Sequence, residues 1–124
     1  MEHLAISGKK PLVGKVDISG AKNAAVAIIP AALCVGKVHT IENLPKIEDV
    51  RKYIAVLEGM GAKCQFLDDH TLRVDATKVN SGIAMHENLK SMRASYYLIG
   101  ALLGRFKKAV VPMPGGCNFG SRPI

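Results

Sequence analysis

Apolar residues along the chain recur at two spacings in turn, and the alternation predicts strands and helices in turn. Two short strands are expected first, over residues 4–6 and 14–18, linked by the turn-like Gly8-Lys9-Lys10-Pro11. Residues 21–35 read as a helix that is apolar around its circumference, with Lys22 and Asn23 as its only strongly polar residues, both in the first turn. Residues 38–44 suggest a strand. Residues 47–60 place Ile47, Val50, Ile54 and Leu57 on one face and Glu48, Asp49, Arg51, Lys52 and Glu58 elsewhere. That pattern predicts an amphipathic surface helix ending at Gly59 and Gly61. The alternation of Cys64 and Phe66, then Leu72 and Val74, around Asp68-Asp69-His70 predicts a hairpin. The resulting order is βαβαββ. After a polar stretch over residues 80–90, a second small-residue helix is expected over residues 92–105, and a strand over residues 109–113 feeds a glycine-rich run.

The two apolar helices resemble each other. Lys22-Asn23-Ala24 precedes one and Arg93-Ala94-Ser95 opens the other; Ala31 and Leu33 are echoed by Ala101 and Leu103, and Lys37 by Lys108. The echo predicts that a second unit of the same kind begins near residue 90. A helix with so little polar surface must be buried on most sides, and nothing in a chain this short obviously covers it. The chain therefore reads as incomplete, with self-association through exposed apolar helices as one way of covering them.

Composition narrows the class. At 124 residues, 48% hydrophobic and 22% charged, the chain is globular rather than disordered. The net charge of +7 is compatible with nucleic acid, but the 17 Lys and Arg are scattered and only 5% of residues are aromatic, and anionic small molecules or phosphates explain the charge equally well. Three cysteines far apart, and a start (Met1-Glu2-His3-Leu4) without a basic-then-apolar leader, point to a reducing cytoplasm. The longest apolar run, residues 24–35, contains Pro30 and falls short of the roughly twenty residues that span a bilayer, so no membrane segment is expected.

Candidate chemistry lies at the helix starts and in the glycine-rich run. Pro114-Gly115-Gly116-Cys117-Asn118-Phe119-Gly120-Ser121-Arg122-Pro123 sets a thiol on permissive backbone beside cations (Arg122, Lys107, Lys108) that favour the thiolate. The same residues also fit a surface turn with an idle cysteine. Lys22 adds an ammonium to the free N–H groups and dipole of a helix N-terminus, which makes a phosphate or carboxylate site; a lysine snorkelling from a helix end is the alternative. Arg93 repeats the pattern. His3, His39, His70 and His86 show no metal-ligand spacing, and neither a P-loop ending nor Gly-x-Gly-x-x-Gly is present. Metal, cofactor and nucleotide hydrolysis are therefore not expected. Cys34 and Cys64 read as small hydrophobes, and Asp68-Asp69 as a hairpin turn.

Ile18-Ser19-Gly20-Ala21-Lys22-Asn23-Ala24-Ala25, Met92-Arg93-Ala94-Ser95, Met113 before Pro114-Gly115-Gly116-Cys117, and Gly120-x-Arg122-Pro123 together resemble the UDP-N-acetylglucosamine 1-carboxyvinyltransferases, enolpyruvyl transferases that open bacterial peptidoglycan synthesis. The cysteine loop separates this family from the related 3-phosphoshikimate 1-carboxyvinyltransferases. Members run to several hundred residues, and the chain is similar to their amino-terminal portion. The resemblance implies a mixed α and β fold of repeated βαβαββ units in inside-out α/β barrels, here incomplete. Residues 1–19 would be amino-terminal strands of a first, split domain, and residues 20–124 part of a second domain, with substrates in the cleft between them.

The resemblance also implies roles. Lys22, Asn23 and Arg122 would bind phosphoenolpyruvate; Asn23, Arg93, Arg122, Pro123 and Ile124 would bind UDP-N-acetylglucosamine. Cys117 would be the catalytic acid, alkylated by the epoxide antibiotic fosfomycin. Enolpyruvyl transfer to the sugar 3-hydroxyl needs a proton for the methylene carbon, cations around phosphate and carboxylate, and a base. Residues 1–124 match the first two; the family's base is an aspartate with no counterpart here, so no turnover is expected from the chain by itself. Two departures stand out: Val26-Ala27-Ile28 replaces the family's usual Leu-Pro-Ile, with proline at Pro30, and Tyr97 stands where relatives often carry another large aromatic. A noncatalytic sugar-nucleotide or phosphate-binding module is the alternative reading, since it would need Lys22, Asn23 and Arg122 but not Cys117. A basic RNA-binding fragment is a third, disfavoured by the lack of clustered aromatics.

Overall fold

A strand exists only where backbone N–H and C=O groups find a neighbour, and three segments do. The computed structural model describes residues 3–115. In it β1 (Val38–Ile41), β2 (Lys63–Phe66) and β3 (Leu72–Asp75) form an antiparallel sheet in the order β1-β3-β2. The register pairs Val38 with Asp75 and Ile41 with Leu72 on one side of β3, and Lys63 with Asp75 and Phe66 with Leu72 on the other. Leu72 and Val74 are fully buried while Arg73 between them is exposed, the period-two pattern of a sheet with one wet face. The hairpin turn forms where expected: the His70 N–H donates to Asp68 Oδ1 at 2.8 Å and the Leu67 N–H to the Thr71 carbonyl at 2.9 Å.

The helices are α1 (Lys22–Ala31), α2 (Glu48–Gly59), the short α3 (Glu87–Lys90) and α4 (Tyr97–Phe106). α2 opens with Glu48 and Asp49, whose charges complement the positive helix end, and closes on Gly61. Gly61 takes φ of 98°, a conformation that suits glycine; its N–H donates to the Glu58 carbonyl and the Ala62 N–H to the Leu57 carbonyl. α1 contains Pro30 and ends one residue later, where the Leu33 N–H turns back to the Pro30 carbonyl and the Cys34 N–H to the Ala31 carbonyl, the tighter bonds of a 3₁₀-type end. The expected helix over residues 92–105 is divided: Arg93–Tyr96 is a 3₁₀ turn, and the α-helix starts at Tyr97.

Two expectations are corrected. Residues 4–6 and 14–18 form no strand: Leu4, Ile6, Val16 and Ile18 are exposed, and no strand among the described residues pairs with them. The expected strand over residues 109–113 reduces to one parallel bridge between Ile83 and Val110. It is tied by Ala84 N–H to the Val110 carbonyl (2.9 Å) and Val110 N–H to the Gly82 carbonyl (2.8 Å). Gly82 is needed there because a Cβ would overlap the Lys108 carbonyl.

The apolar helices are better covered than the sequence suggests. α1 packs on both α2 and α4, burying Ile29, Leu33, Leu98 and Leu102 completely in one core with Tyr53, Leu57, Leu72 and Val74. Arg105 of α4 locks this arrangement. Its guanidinium donates to the carbonyls of Leu33 (3.1 Å), Ala76 (3.1 Å) and Val79 (2.6 Å), joining the end of α1 to the exit of β3. What stays partly exposed is a fringe of Ile28, Val35, Ile99 and Leu103. No helix among the described residues is long and apolar enough to cross a membrane.

Candidate functional site

The packing of α1 on α2 and α4 brings the start of α1 against the 3₁₀ turn. Between them lies a cavity of ≈ 400 Å³. Lys22, Asn23 and Val26 of α1 line it, with Asp49 of α2, residues 91–94, and Tyr96 and Tyr97. Lys22, Asn23 and Arg93, candidates from two distant parts of the sequence, therefore line one cavity.

Local sequence explains the arrangement. Lys22 and Asn23 are the first two residues of α1, and Ala21 at the cap offers no side-chain acceptor to the N–H groups of that turn. The side chains and the helix end present positive potential to one space. Lys22 Nζ pairs with Asp49 Oδ2 at 2.7 Å. Opposite, the turn carrying Arg93 is held to α2 by two contacts: Lys52 Nζ donates to Ser91 Oγ at 3.2 Å, and the Tyr53 hydroxyl donates to the Ala94 carbonyl at 2.5 Å. Tyr53 is fully buried, and burial first, then the nearby Asp49 charge, pushes its phenol well above the usual range. It remains a neutral donor. Tyr96 and Tyr97 line the cavity with ring centroids 4.5 Å apart and planes tilted by 33°, and the hydrogen bond between the two side chains, then the neighbouring Tyr96 charge, raises the Tyr97 phenol.

Cys117, Arg122, Pro123 and Ile124 lie outside the described residues. The described chain ends at Gly115, packed so closely on the Lys90–Ser91 backbone that a Cβ would overlap the Lys90 carbonyl oxygen. The last described residue before Cys117's segment thus sits next to Ser91, which lines the cavity. Asp49, Tyr53 and Tyr96 were not among the sequence candidates. Asp49 and Tyr53 are one turn apart on α2, beside its apolar stripe, and that spacing was the available signal.

The other titratable groups have different employment. His70 Nδ1 meets the Leu44 carbonyl at 2.7 Å, His39 Nε2 the Val35 carbonyl at 3.2 Å, and His86 Nδ1 accepts from the Asn88 N–H at 3.2 Å. Among the described residues no group of three or more His, Cys, Asp or Glu is placed to hold a metal ion. Cys64 is half-buried, and burial, reinforced by Glu58, pushes its thiol up to about 12. Cys34, expected inside an apolar helix, lies beyond the end of α1 and is exposed. Asp68 and Asp69 belong to the hairpin, Asp69 pairing with Lys46 at 2.6 Å. Two cations, one of them paired with the Asp49 carboxylate, with an amide and two phenols around one cavity can bind and orient an anion that also carries a ring or a hydroxyl.

Comparison with known proteins gives the family and the fold. The family EPSP synthase (3-phosphoshikimate 1-carboxyvinyltransferase) matches residues 6–124. The chain is 54% identical over 125 residues to a UDP-N-acetylglucosamine 1-carboxyvinyltransferase of Clostridium botulinum, covering 100% of this chain and 30% of that protein. It is 46% identical over 123 residues to UDP-N-acetylglucosamine 1-carboxyvinyltransferase 2 of Staphylococcus aureus, covering 99% of this chain and 29% of that one. The crystal structure of the enolpyruvyl transferase NikO from Streptomyces tendae superposes with a TM-score of 0.66 at 28% identity, over 77% of this chain and 22% of that one. The chain spans about 30% of the length of the curated relatives it matches. The mixed α and β architecture is that of an enolpyruvyl transferase, present here as a three-stranded sheet rather than a closed barrel. By fold and by a match over nearly its whole length, the chain belongs to the EPSP synthase (3-phosphoshikimate 1-carboxyvinyltransferase) family.

Proposed function

We propose that the chain supplies one wall of a site that transfers the enolpyruvyl group of phosphoenolpyruvate to the 3-hydroxyl of UDP-N-acetylglucosamine and releases phosphate. That is the step its most similar relatives are named for, and it would place the protein in cytoplasmic peptidoglycan synthesis. The observation that carries the reading is the convergence of Lys22, Asn23 and Arg93 on one cavity. Lys22, Asn23 and Arg122 hold the phosphate and carboxylate of phosphoenolpyruvate; Asn23, Arg93, Arg122, Pro123 and Ile124 hold the sugar nucleotide. Cys117 gives a proton to the methylene carbon, the sugar 3-oxygen bonds to C2, and loss of phosphate with a proton from the new methyl group restores the double bond. The base that takes the hydroxyl proton comes from outside residues 1–124. Residues 1–19 belong to a first, split domain and residues 20–124 to a second, which accords with the solvent-facing apolar side chains of residues 4–18.

The test is a chimaera in which this chain replaces the matching 30% of the Clostridium botulinum relative. Phosphate release should depend on UDP-N-acetylglucosamine and not on shikimate 3-phosphate. Lys22→Ala should lower kcat/KM by about 10²-fold or more, the usual effect of removing a positioned charge donor, and Cys117→Ser should abolish fosfomycin adduct formation. Unchanged kcat/KM in Lys22→Ala, or a preference for shikimate 3-phosphate, would contradict the reading.

A further inference from the structure

Lys22 ends in a flexible four-carbon stem, and its ammonium can serve a bound anion only if it is held in place. The ion pair with Asp49, 2.7 Å long, holds it. The side chains are 62% and 25% exposed, so this pair adds little to stability, and its consequence is geometric. Asp49 is itself fixed. It lies in the first turn of α2, and one turn further on the buried Tyr53 donates a hydrogen bond to the carbonyl of Ala94, the residue after Arg93. One face of α2 therefore touches both cationic segments of the cavity and sets the space between them.

Resting on the reading of this cavity as an anion site, we infer that Asp49 is a positioning residue that aims the Lys22 ammonium at the phosphate or carboxylate of the substrate. Two effects of the carboxylate oppose each other. Its charge reduces the positive potential of the cavity, which weakens anion binding, whereas its grip on Lys22 removes the cost of ordering that side chain, which strengthens it. The inference holds that the second effect wins. Charge alone predicts that Asp49→Asn binds anions more tightly; positioning predicts that it binds them more weakly.

The experiment titrates phosphoenolpyruvate into the ¹⁵N-labelled 124-residue chain and follows the amides of Lys22, Asn23 and Arg93. Asp49→Asn should raise Kd by about fivefold, a coupling of ordinary size for groups in contact, and Asp49→Glu should restore most of it. In a Lys22→Ala background, where only the carboxylate's charge is left to act, Asp49→Asn should cost no further affinity and should bind equally or somewhat more tightly. Equal or tighter binding by Asp49→Asn, or the same loss without Lys22, overturns the inference, as does a melting temperature so lowered that Asp49 is a structural residue. If the unsubstituted chain shows no shifts at these three residues, the anion-site reading falls and the inference with it. If it binds and Asp49→Asn loses nothing, only the inference falls.

Discussion

Residues 15–18 (Lys-Val-Asp-Ile) and residues 72–75 (Leu-Arg-Val-Asp) carry the same alternation of apolar and polar side chains, yet only the second is a strand. Leu72 and Val74 are 0% exposed, whereas Val16 and Ile18 are 85% and 91% exposed. The difference lies in the neighbours. β3 has β1 on one side and β2 on the other, with α2 closing over β2, and residues 15–18 have no strand beside them among the described residues. Alternation states which face a strand would bury; pairing and a covering layer decide whether it is a strand at all.

The largest effect that can break this comparison is a core truncation. Leu72→Ala should cost about 2–5 kcal/mol in urea unfolding, the range for deleting a buried leucine, while Ile18→Ala should stay within about 0.5 kcal/mol. A comparable loss at Ile18 would show that the amino-terminal segment is packed. Tyr53→Phe comes next. It keeps the ring in the core and leaves the Ala94 carbonyl without its donor, so it should cost about 1–3 kcal/mol, measured in the same way. No loss would mean that α2 does not hold the turn bearing Arg93.

A third effect appears only at alkaline pH. Cys64 faces Val74 across the β2–β3 pair, and its thiol is raised from about 9 to about 12 in the folded chain. The folded state therefore keeps its proton where the unfolded state loses it. The stability this contributes is complete below pH 9 and is lost as pH climbs from 9 towards 12. Urea midpoints should fall less over that range in Cys64→Ala than in the unsubstituted chain; identical slopes would show that the thiol is not buried against the sheet. At pH 8 a thiol reagent should modify the exposed Cys34 well before Cys64.

The same distinction between local and distant partners decides what was legible in the sequence. The Asp68-Asp69-His70 hairpin and the Gly61 stop of α2 were readable because each is closed by residues two to five positions away. Lys22 and Arg93 stood out as candidates because a charged residue at a helix start is a local signal, and Asn23 because it is the only other strongly polar residue of its helix. Asp49 and Tyr53 were not. Asp49 looked like the wet face of an amphipathic helix and Tyr53 stood on neither assigned face, and their partners come from α1 and from a carbonyl 41 residues downstream. Arg105 escaped notice for the same reason, as its four hydrogen bonds reach carbonyls 26 to 72 residues earlier in the chain. The exposure predicted for the apolar helices was overstated because α1 and α4 cover each other, a pairing no local pattern announces.

The central claim is that the cavity between α1 and the 93–96 turn is where the substrates are gripped. Titrating UDP-N-acetylglucosamine into the ¹⁵N-labelled chain tests it most directly. The account predicts saturable shifts concentrated on Lys22, Asn23, Arg93 and Tyr97, weakened by Arg93→Ala, with the amides of residues 3–18 and of the 67–71 turn unmoved. Shifts centred on the hairpin or the amino-terminal segment, or equal binding by Arg93→Ala, would contradict it.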